Sequence, residues 1–111
     1  MTLLEKIQLS PESINFQEVI DFIDSNYDFT PTLFTNGDTV NDVGQNNGSC
    51  KIFFFAQLQG LSKEQTLALF GDYYRVDVLG KPEGDDHKNI RNFMAYGWEG
   101  IQFDGEPLVS K

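Results

Sequence analysis

The 111-residue sequence predicts an α+β fold, a single compact domain over residues 1–111 in which four to five helices pack around a small sheet. Apolar residues recur at helical spacing in several segments, whereas β-branched and aromatic residues cluster around one proline and near the C-terminus. The length is typical of one domain, and 40% hydrophobic residues supply enough apolar surface for a core. A disordered chain is therefore excluded.

The N-terminal part of the sequence favours helices. Residues 1–14 form either a short helix, over about Thr2–Gln8, or a flexible segment. Apolar residues at three- and four-residue steps then predict a helix over about 16–26, with Asn15 and Glu18 placed as a capping pair. This capped, periodic segment is the clearest helix of the N-terminal half.

The stretch YDFTPTLFTNGDTVND, residues 27–42, changes to a strand-like composition. Asn36 and Gly37 form a strong turn signal between β-branched residues. Pro31 lacks an amide proton, so a strand through it is restricted to a sheet edge. We expect a short hairpin here.

The stretch NDVGQNNGSCKIFFFAQLQG, residues 41–60, predicts a central helix. Asn46, Asn47 or Ser49 can cap it, and Gly60 can end it. Apolar residues in CKIFFFAQL cover almost the whole helix circumference, which is typical of a buried helix. A buried strand is the alternative, because short apolar runs are ambiguous by periodicity.

Two more helices are predicted in the C-terminal half. Ser62 and Gln65 form a capping box, and the apolar spacing extends that helix to about Leu79 despite Gly71. Proline and glycine residues then separate it from a short helix that Asp85 or Asp86 caps and Gly97 ends, with Ile90, Phe93 and Met94 facing inward.

An alternating segment closes the chain. In WEGIQFDGEPLV, residues 98–109, Ile101 and Phe103 face the same way, as in a half-buried strand, and Asp104 and Gly105 then form a turn. This strand and the hairpin would form the small sheet.

Charge narrows the classes of partner. Seventeen acidic and eight basic residues give a net charge of −9, which repels nucleic-acid backbones and anionic membranes. The start of the sequence has neither a basic region nor the apolar run of a cleavable signal peptide, so we expect a cytoplasmic protein, or one secreted by a type III route. One cysteine forms no intrachain disulfide. No cofactor is expected.

Cys50 and His87 are candidate catalytic residues. In the first turn of a helix and beside Lys51, a thiol would have a lowered pKa, and His87 could act as its base. Backbone amides of Ser49 or Cys50 would then stabilise an oxyanion. The alternative is that Cys50 only packs, which is the commoner role of such a residue.

Two other kinds of site fit the sequence less well. The stretch VGQNNGSCK resembles a phosphate-binding loop, but its Gly and Lys spacing departs from the Walker A pattern, so the resemblance extends only to small-anion binding by a helix start. Asp85, Asp86 and His87 could contribute metal ligands, although together with Cys50 they make an uncommon zinc set. We expect helix capping by the aspartates and no metal site.

A polar cleft is the leading site hypothesis. His87 and Arg91 are one helical turn apart and share a face, which could meet the Asn-rich loop to bind a small ligand or a protein partner. The candidate ligand-binding residues are Asn41, Asn46, Ser49, Lys51, His87, Asn89 and Arg91.

Two segments, residues 34–75 and 82–103, resemble the HopJ family, also called HopPmaJ and named for a type III effector of plant-pathogenic bacteria. NGSCKIF and DHKNIRNFM are the specific markers, and the similarity extends over about Tyr27 to Leu108. The resemblance implies a small α/β domain of unestablished biochemical activity, and an effector that acts in a host cell by occupying a target protein. The family's motif residues fall here at Asn36, Gly37, Asn41, Gly44, Asn46, Gly48, Ser49, Cys50, Lys51, His87, Asn89 and Arg91.

Overall fold

Helices surround two small antiparallel sheets in the computed structural model, which describes residues 2–111, and the predicted α+β class is confirmed. The α-helices are α1 (Leu3–Leu9), α2 (Phe16–Asn26), α3 (Asn47–Gln59), α4 (Lys63–Ala68) and α5 (Lys88–Tyr96). The strands are β1 (Tyr27–Phe29), β2 (Phe34–Asn36), β3 (Thr39–Asn41), β4 (Ile101–Phe103) and β5 (Leu108–Ser110). Two 3₁₀ turns (Pro11–Ser13 and Gly97–Gly100) and a π-helical segment (Tyr73–Val78) complete the chain.

The expected single sheet is two separate sheets. β2 pairs with β3 as the predicted hairpin and also with β4, in a register that places Phe34 opposite Phe103. β1 pairs with β5. No local pattern in the sequence predicts this pairing, because the two strands lie far apart in the chain. Pro31 lies between β1 and β2, so it removes no ladder hydrogen bond.

Helix α3 is the centre of the core, as its apolar circumference predicts, and the buried-strand alternative is wrong. Phe53 is fully buried, and its ring lies within 6.3 Å of the rings of Phe34, Phe70 and Phe93, measured between centroids. Aromatic contacts of this kind add packing energy to the burial of the rings. Phe53 thus joins α3 to β2, to α5 and to the segment after α4.

Local capping signals are confirmed where their partners lie three residues apart. Asn15 and Glu18 form a capping box at the start of α2, and Ser62 and Gln65 form another at the start of α4. A capping box of Thr2 and Glu5 also begins α1, which lies in the segment that the sequence left as a helix or a flexible region. Side chains on one face of α1 are buried in the core.

The predicted helix from Ser62 to Leu79 is wrong as one continuous helix. α4 ends at Ala68, and Gly71 follows with a left-handed φ of +61°. A Cβ atom on Gly71 would lie 2.8 Å from the backbone nitrogen of Phe16, so glycine lets the two backbones approach. The chain then continues as the π-helical segment, which contributes side chains to the site described next.

Candidate functional site

A cavity of about 240 Å³ lies where the N-termini of α3 and α5 meet. Polar residues from both helix starts line it, together with aromatic and aliphatic side chains. Its lining residues are Phe16, Asn46, Gly48, Ser49, Phe70, Tyr73, His87, Lys88, Asn89 and Ile90. The structure thus brings Asn46, Ser49, His87 and Asn89, four of the predicted site residues, to one depression.

Both helices begin at a residue in the left-handed conformation. Asn46 has a φ of 53° and His87 a φ of 49°, and they are the non-glycine residues with positive φ in the described chain. Neither side chain caps its helix, so the capping predicted for Asn46, Asn47 or Ser49 is wrong, as is that for Asp85 or Asp86. The first N–H groups of a helix have no acceptor within the helix. At the starts of α3 and α5 no side chain of residues 2–111 accepts a hydrogen bond from them either.

Four asparagine side chains hold the two helix starts together. Asn46 donates from Nδ2 to Asn41 Oδ1 at 2.7 Å, which explains why it does not cap α3. Asn41 and Asn89 exchange two hydrogen bonds, of 3.2 and 3.0 Å, between their amide groups. Asn36 donates to both the side-chain and backbone oxygens of Asn89. We call Asn36, Asn41, Asn46 and Asn89 the asparagine cluster.

The asparagine cluster explains why the Asn-rich stretch is placed before α3. Asn36, Asn41 and Asn89 are buried, and buried amides require partners. Their bonds join β2 and β3 to α5 and, through Asn46, to α3. The cluster therefore sets the distance between the two helix starts that line the cavity.

The π-helical segment fixes the imidazole at the cavity edge. Tyr73 packs against the His87 ring, with 5.2 Å between centroids, and Phe16 contacts Tyr73 edge-on. Asp77, four residues after Tyr73, lies 3.0 Å from His87 Nε2 through its Oδ2 atom. Asp77 was not among the predicted site residues, because its role depends on where Gly71 bends the chain.

The charge of the cavity lining is opposite in sign to the net charge of the whole chain. None of its lining residues is acidic, although the chain carries 17 acidic residues and a net charge of −9. Lys88 lines it and forms no ion pair with residues 2–111. The positive ends of two helix dipoles face the same space. The depression therefore favours a negative group.

Cys50 is not part of this cavity, and the predicted Cys50–His87 pair is wrong. The thiol is 1% exposed and its Sγ contacts the carbonyl oxygen of Thr32 at 3.8 Å. Burial raises the pKa of Cys50 to about 11, against a hydrogen bond to Thr32 that lowers it. Desolvation outweighs that hydrogen bond, so the lowered pKa expected from the sequence is wrong.

Native Cys50 should be alkylated far more slowly than the thiol of the unfolded chain. A pKa raised from 9.0 to about 11 lowers the thiolate fraction at neutral pH about a hundredfold, and burial adds a steric barrier. Between these two pKa values the unfolded chain binds fewer protons, so stability should fall as the pH rises from about 9 to about 11. Iodoacetamide labelling at pH 7.5, with and without urea, tests this. Faster labelling of the native protein would restore the nucleophile hypothesis.

Lys51 and Arg91 face away from the cavity, so their predicted place beside the other site residues is wrong. Lys51 Nζ pairs with Asp24 Oδ1 at 2.9 Å and lies over the Phe29 ring. Arg91 donates to the Asp86 carboxylate and to three backbone carbonyls of the preceding loop. Its hydrogen bond to Asp86 is the main cause that lowers the pKa of that carboxyl group. Both side chains therefore stabilise the fold and take no part in the cavity.

Residues 2–111 contain no group of three His, Cys, Asp or Glu side chains that could hold a metal ion. Within the same range no helix is long and apolar enough to span a bilayer.

The family described as HopJ type III effector protein matches the chain over residues 1–108. The chain belongs to the HopJ family. A comparison with curated protein sequences found no match. Among solved structures, the HopJ chain is similar to the crystal structure of the unknown-function protein VPA0580, with 56% identity and a TM-score of 0.96 over 100% of this chain and 95% of that one. These similarities support the fold and the family and carry no activity.

Proposed function

We propose that this HopJ protein binds a small ligand whose anionic group is held at the starts of α3 and α5. The observation that carries the proposal is that two helices, both without a side-chain cap, begin at the same cavity. Free amides and a positive dipole end make one helix start an anion site, and two such starts reinforce each other. The absence of acidic lining residues supports the same sign of charge.

The rest of the cavity favours a ligand with an apolar part. Phe16, Phe70, Tyr73 and Ile90 are the large apolar and aromatic residues of its lining. Small-molecule sites are typically concave and apolar, with a few placed polar groups that orient the ligand. A volume of about 240 Å³ is small for such a site, so we infer a compact ligand and no enclosed macromolecular segment. No catalytic turnover is part of this proposal.

Ser49→Asp tests the proposal with little risk to the fold. The new carboxylate would lie in the first turn of α3, where it stabilises a helix by about 0.3–1 kcal/mol but repels an anion in the cavity. We expect isothermal titration with phenyl phosphate, benzoate and inorganic phosphate to show binding to the natural protein. At least tenfold weaker binding is expected for the Ser49→Asp variant.

Asn47→Asp is the matched control. Asn47 belongs to the same first turn but does not line the cavity. Asn47→Asp therefore changes the net charge and the charge at the helix start as much as Ser49→Asp does, but places no carboxylate in the cavity. We expect that variant to retain most of the affinity. Equal losses of affinity in both variants would mean that the overall charge, and not a carboxylate in the cavity, weakens binding. If none of the three probes showed saturable binding, the proposed site would be refuted.

An effector role is the second candidate, and the family's description is the observation that favours it. In this case the protein would leave a bacterium through a type III apparatus and act in a host cell by binding, either at the cavity or at a protein target. A reporter fused to the C-terminus of the full chain should appear outside a type III-competent strain and stay inside its secretion-deficient mutant. Retention in both strains would remove this candidate and favour a cytoplasmic role.

A further inference from the structure

The imidazole of His87 is held at one edge and unpartnered at the other. Its Nε2 atom lies 3.0 Å from Asp77 Oδ2 and 3.9 Å from Asp86 Oδ2. Asp77 is outside the cavity lining, whereas His87 is part of it. The Tyr73 ring packs against the imidazole and restricts its rotation. Few orientations of the ring are therefore available.

The two carboxylates decide where the proton of a neutral imidazole lies. An ionised carboxylate only accepts hydrogen bonds, so Nε2 must carry the proton and donate to Asp77. The neutral ring has one proton, which leaves Nδ1 as an acceptor. Within residues 2–111, Nδ1 has no hydrogen-bond partner and does not cap α5. A residue that lines the cavity thus carries one fixed acceptor, beside a site built from donors.

We propose that the ligand is a compact ring acid that also carries a hydroxyl or N–H donor, and that His87 Nδ1 accepts a hydrogen bond from that donor. This inference rests on the proposed function, because the acidic group occupies the helix starts. The ring lies against Phe16, Tyr73 and Ile90. A single ring fits by size, since a cavity of about 150 Å³ is known to hold benzene and this one measures about 240 Å³.

Asp77 is a positioning residue in this arrangement. It contacts His87 and does not line the cavity, so it acts on the ligand only through the imidazole. Asp86 assists from the loop before α5, but its carboxylate is closer to Arg91, at 2.6 Å, than to His87. Asp77 is therefore the main group that keeps the proton on Nε2 and the lone pair on Nδ1.

Matched pairs of ligands test the donor requirement on the full chain. We use 3- and 4-hydroxybenzoate against 3- and 4-fluorobenzoate, because fluorine is similar in size to the hydroxyl group but donates no hydrogen bond. One net hydrogen bond corresponds to a few-fold to tenfold change in affinity. We expect at least one hydroxybenzoate to bind about fivefold tighter than its fluoro partner, and Asp77→Asn to abolish that preference.

The tautomer of His87 is a second readout. It should change when Asp77 is substituted only if Asp77 positions the imidazole proton, and not if Asp77 has a purely structural role. His87 is the one histidine of the chain, so its two-bond ¹H–¹⁵N spectrum has a single ring to assign. We expect the neutral ring to be protonated at Nε2, and the Nδ1 resonance to move on addition of the preferred hydroxybenzoate. In the Asp77→Asn variant the protonated fraction at Nδ1 should rise.

The outcomes separate this inference from the proposed function. Benzoate binding with no preference for a hydroxyl group and no change at Nδ1 would overturn the inference and leave the anion site intact. A neutral ring protonated at Nδ1 would overturn it as well. If neither the benzoates, nor phenyl phosphate, nor inorganic phosphate binds, the proposed function and this inference fail together, whereas binding of inorganic phosphate alone overturns only this inference.

Discussion

Asn89→Ala should lower the free energy of unfolding by about 3 kcal/mol, because three side-chain hydrogen bonds of a buried cluster, to Asn36 and Asn41, are lost. Asn36 and Asn41 are 0% and 2% exposed, so water does not readily replace the missing partner. Truncation also leaves a small cavity beside them. Urea unfolding monitored by Trp98 fluorescence would measure the loss.

Asn47→Ala is the control for this substitution. It removes the same atoms at a position that forms no side-chain hydrogen bond with residues 2–111, and we expect a change within about 0.5 kcal/mol. The Asn89→Ala variant should also bind phenyl phosphate more weakly, because Asn89 helps to fix the two helix starts. If Asn89→Ala were no more destabilising than its control, the asparagine cluster would not position the site.

Gly71→Ala should also cost about 3 kcal/mol or more. A left-handed φ costs an L-residue about 1–2 kcal/mol. In addition, the new methyl group would lie 2.8 Å from Phe16 N and 3.1 Å from Asn15 Cα, and backbone atoms yield less easily than side chains. Since Phe16 lines the cavity, relief of this clash should also alter the affinity for phenyl phosphate.

Gly60→Ala separates the two contributions to that loss. Gly60 has a similar φ of +67°, but no atom lies within 4 Å of the position that its Cβ would occupy. We expect a loss of about 1 kcal/mol from the backbone conformation alone. Chemical denaturation of both variants gives the comparison. Equal losses would mean that the approach of Gly71 to α2 relaxes freely and does not shape the cavity.

The sequence predicted best those features whose causes lie close together in the chain. Each capping box requires two residues three apart, and Asn15 and Ser62 both cap as expected. The apolar circumference of residues 50–58 likewise predicted a central helix, and most of its apolar residues are buried, although Leu58 near its C-terminal end is exposed. By contrast, the pairing of β1 with β5 joins residues about 80 positions apart, beyond any local pattern.

Tertiary contacts overrode local signals at the helix starts. Asn46 is a good capping residue, but its amide binds Asn41 in the buried cluster. Cys50 has the helix position that lowers a thiol pKa, but packing removes it from water and Lys51 turns to Asp24. Gly71 gave only a propensity cost in the sequence, whereas the fold uses it for a close approach to Phe16.

The candidate site was predictable in part. The expectation that the Asn-rich loop meets the segment around His87 required only that two polar stretches share a cleft, and Ser49 and His87 do line one cavity. Successive helical residues turn by about 100°, so Cys50 and Lys51 leave that cavity immediately after Ser49. Whether the cavity binds a ligand stays a prediction.

A two-dimensional ¹H–¹⁵N titration of the labelled protein with phenyl phosphate tests the central claim most directly. We predict saturable shifts that are largest at the backbone amides of Gly48 and Ser49 at the start of α3, and of Lys88 and Asn89 at the start of α5. Shifts confined to only one of the helix starts, shifts scattered over surface lysines such as Lys63, or no saturable shift would contradict it.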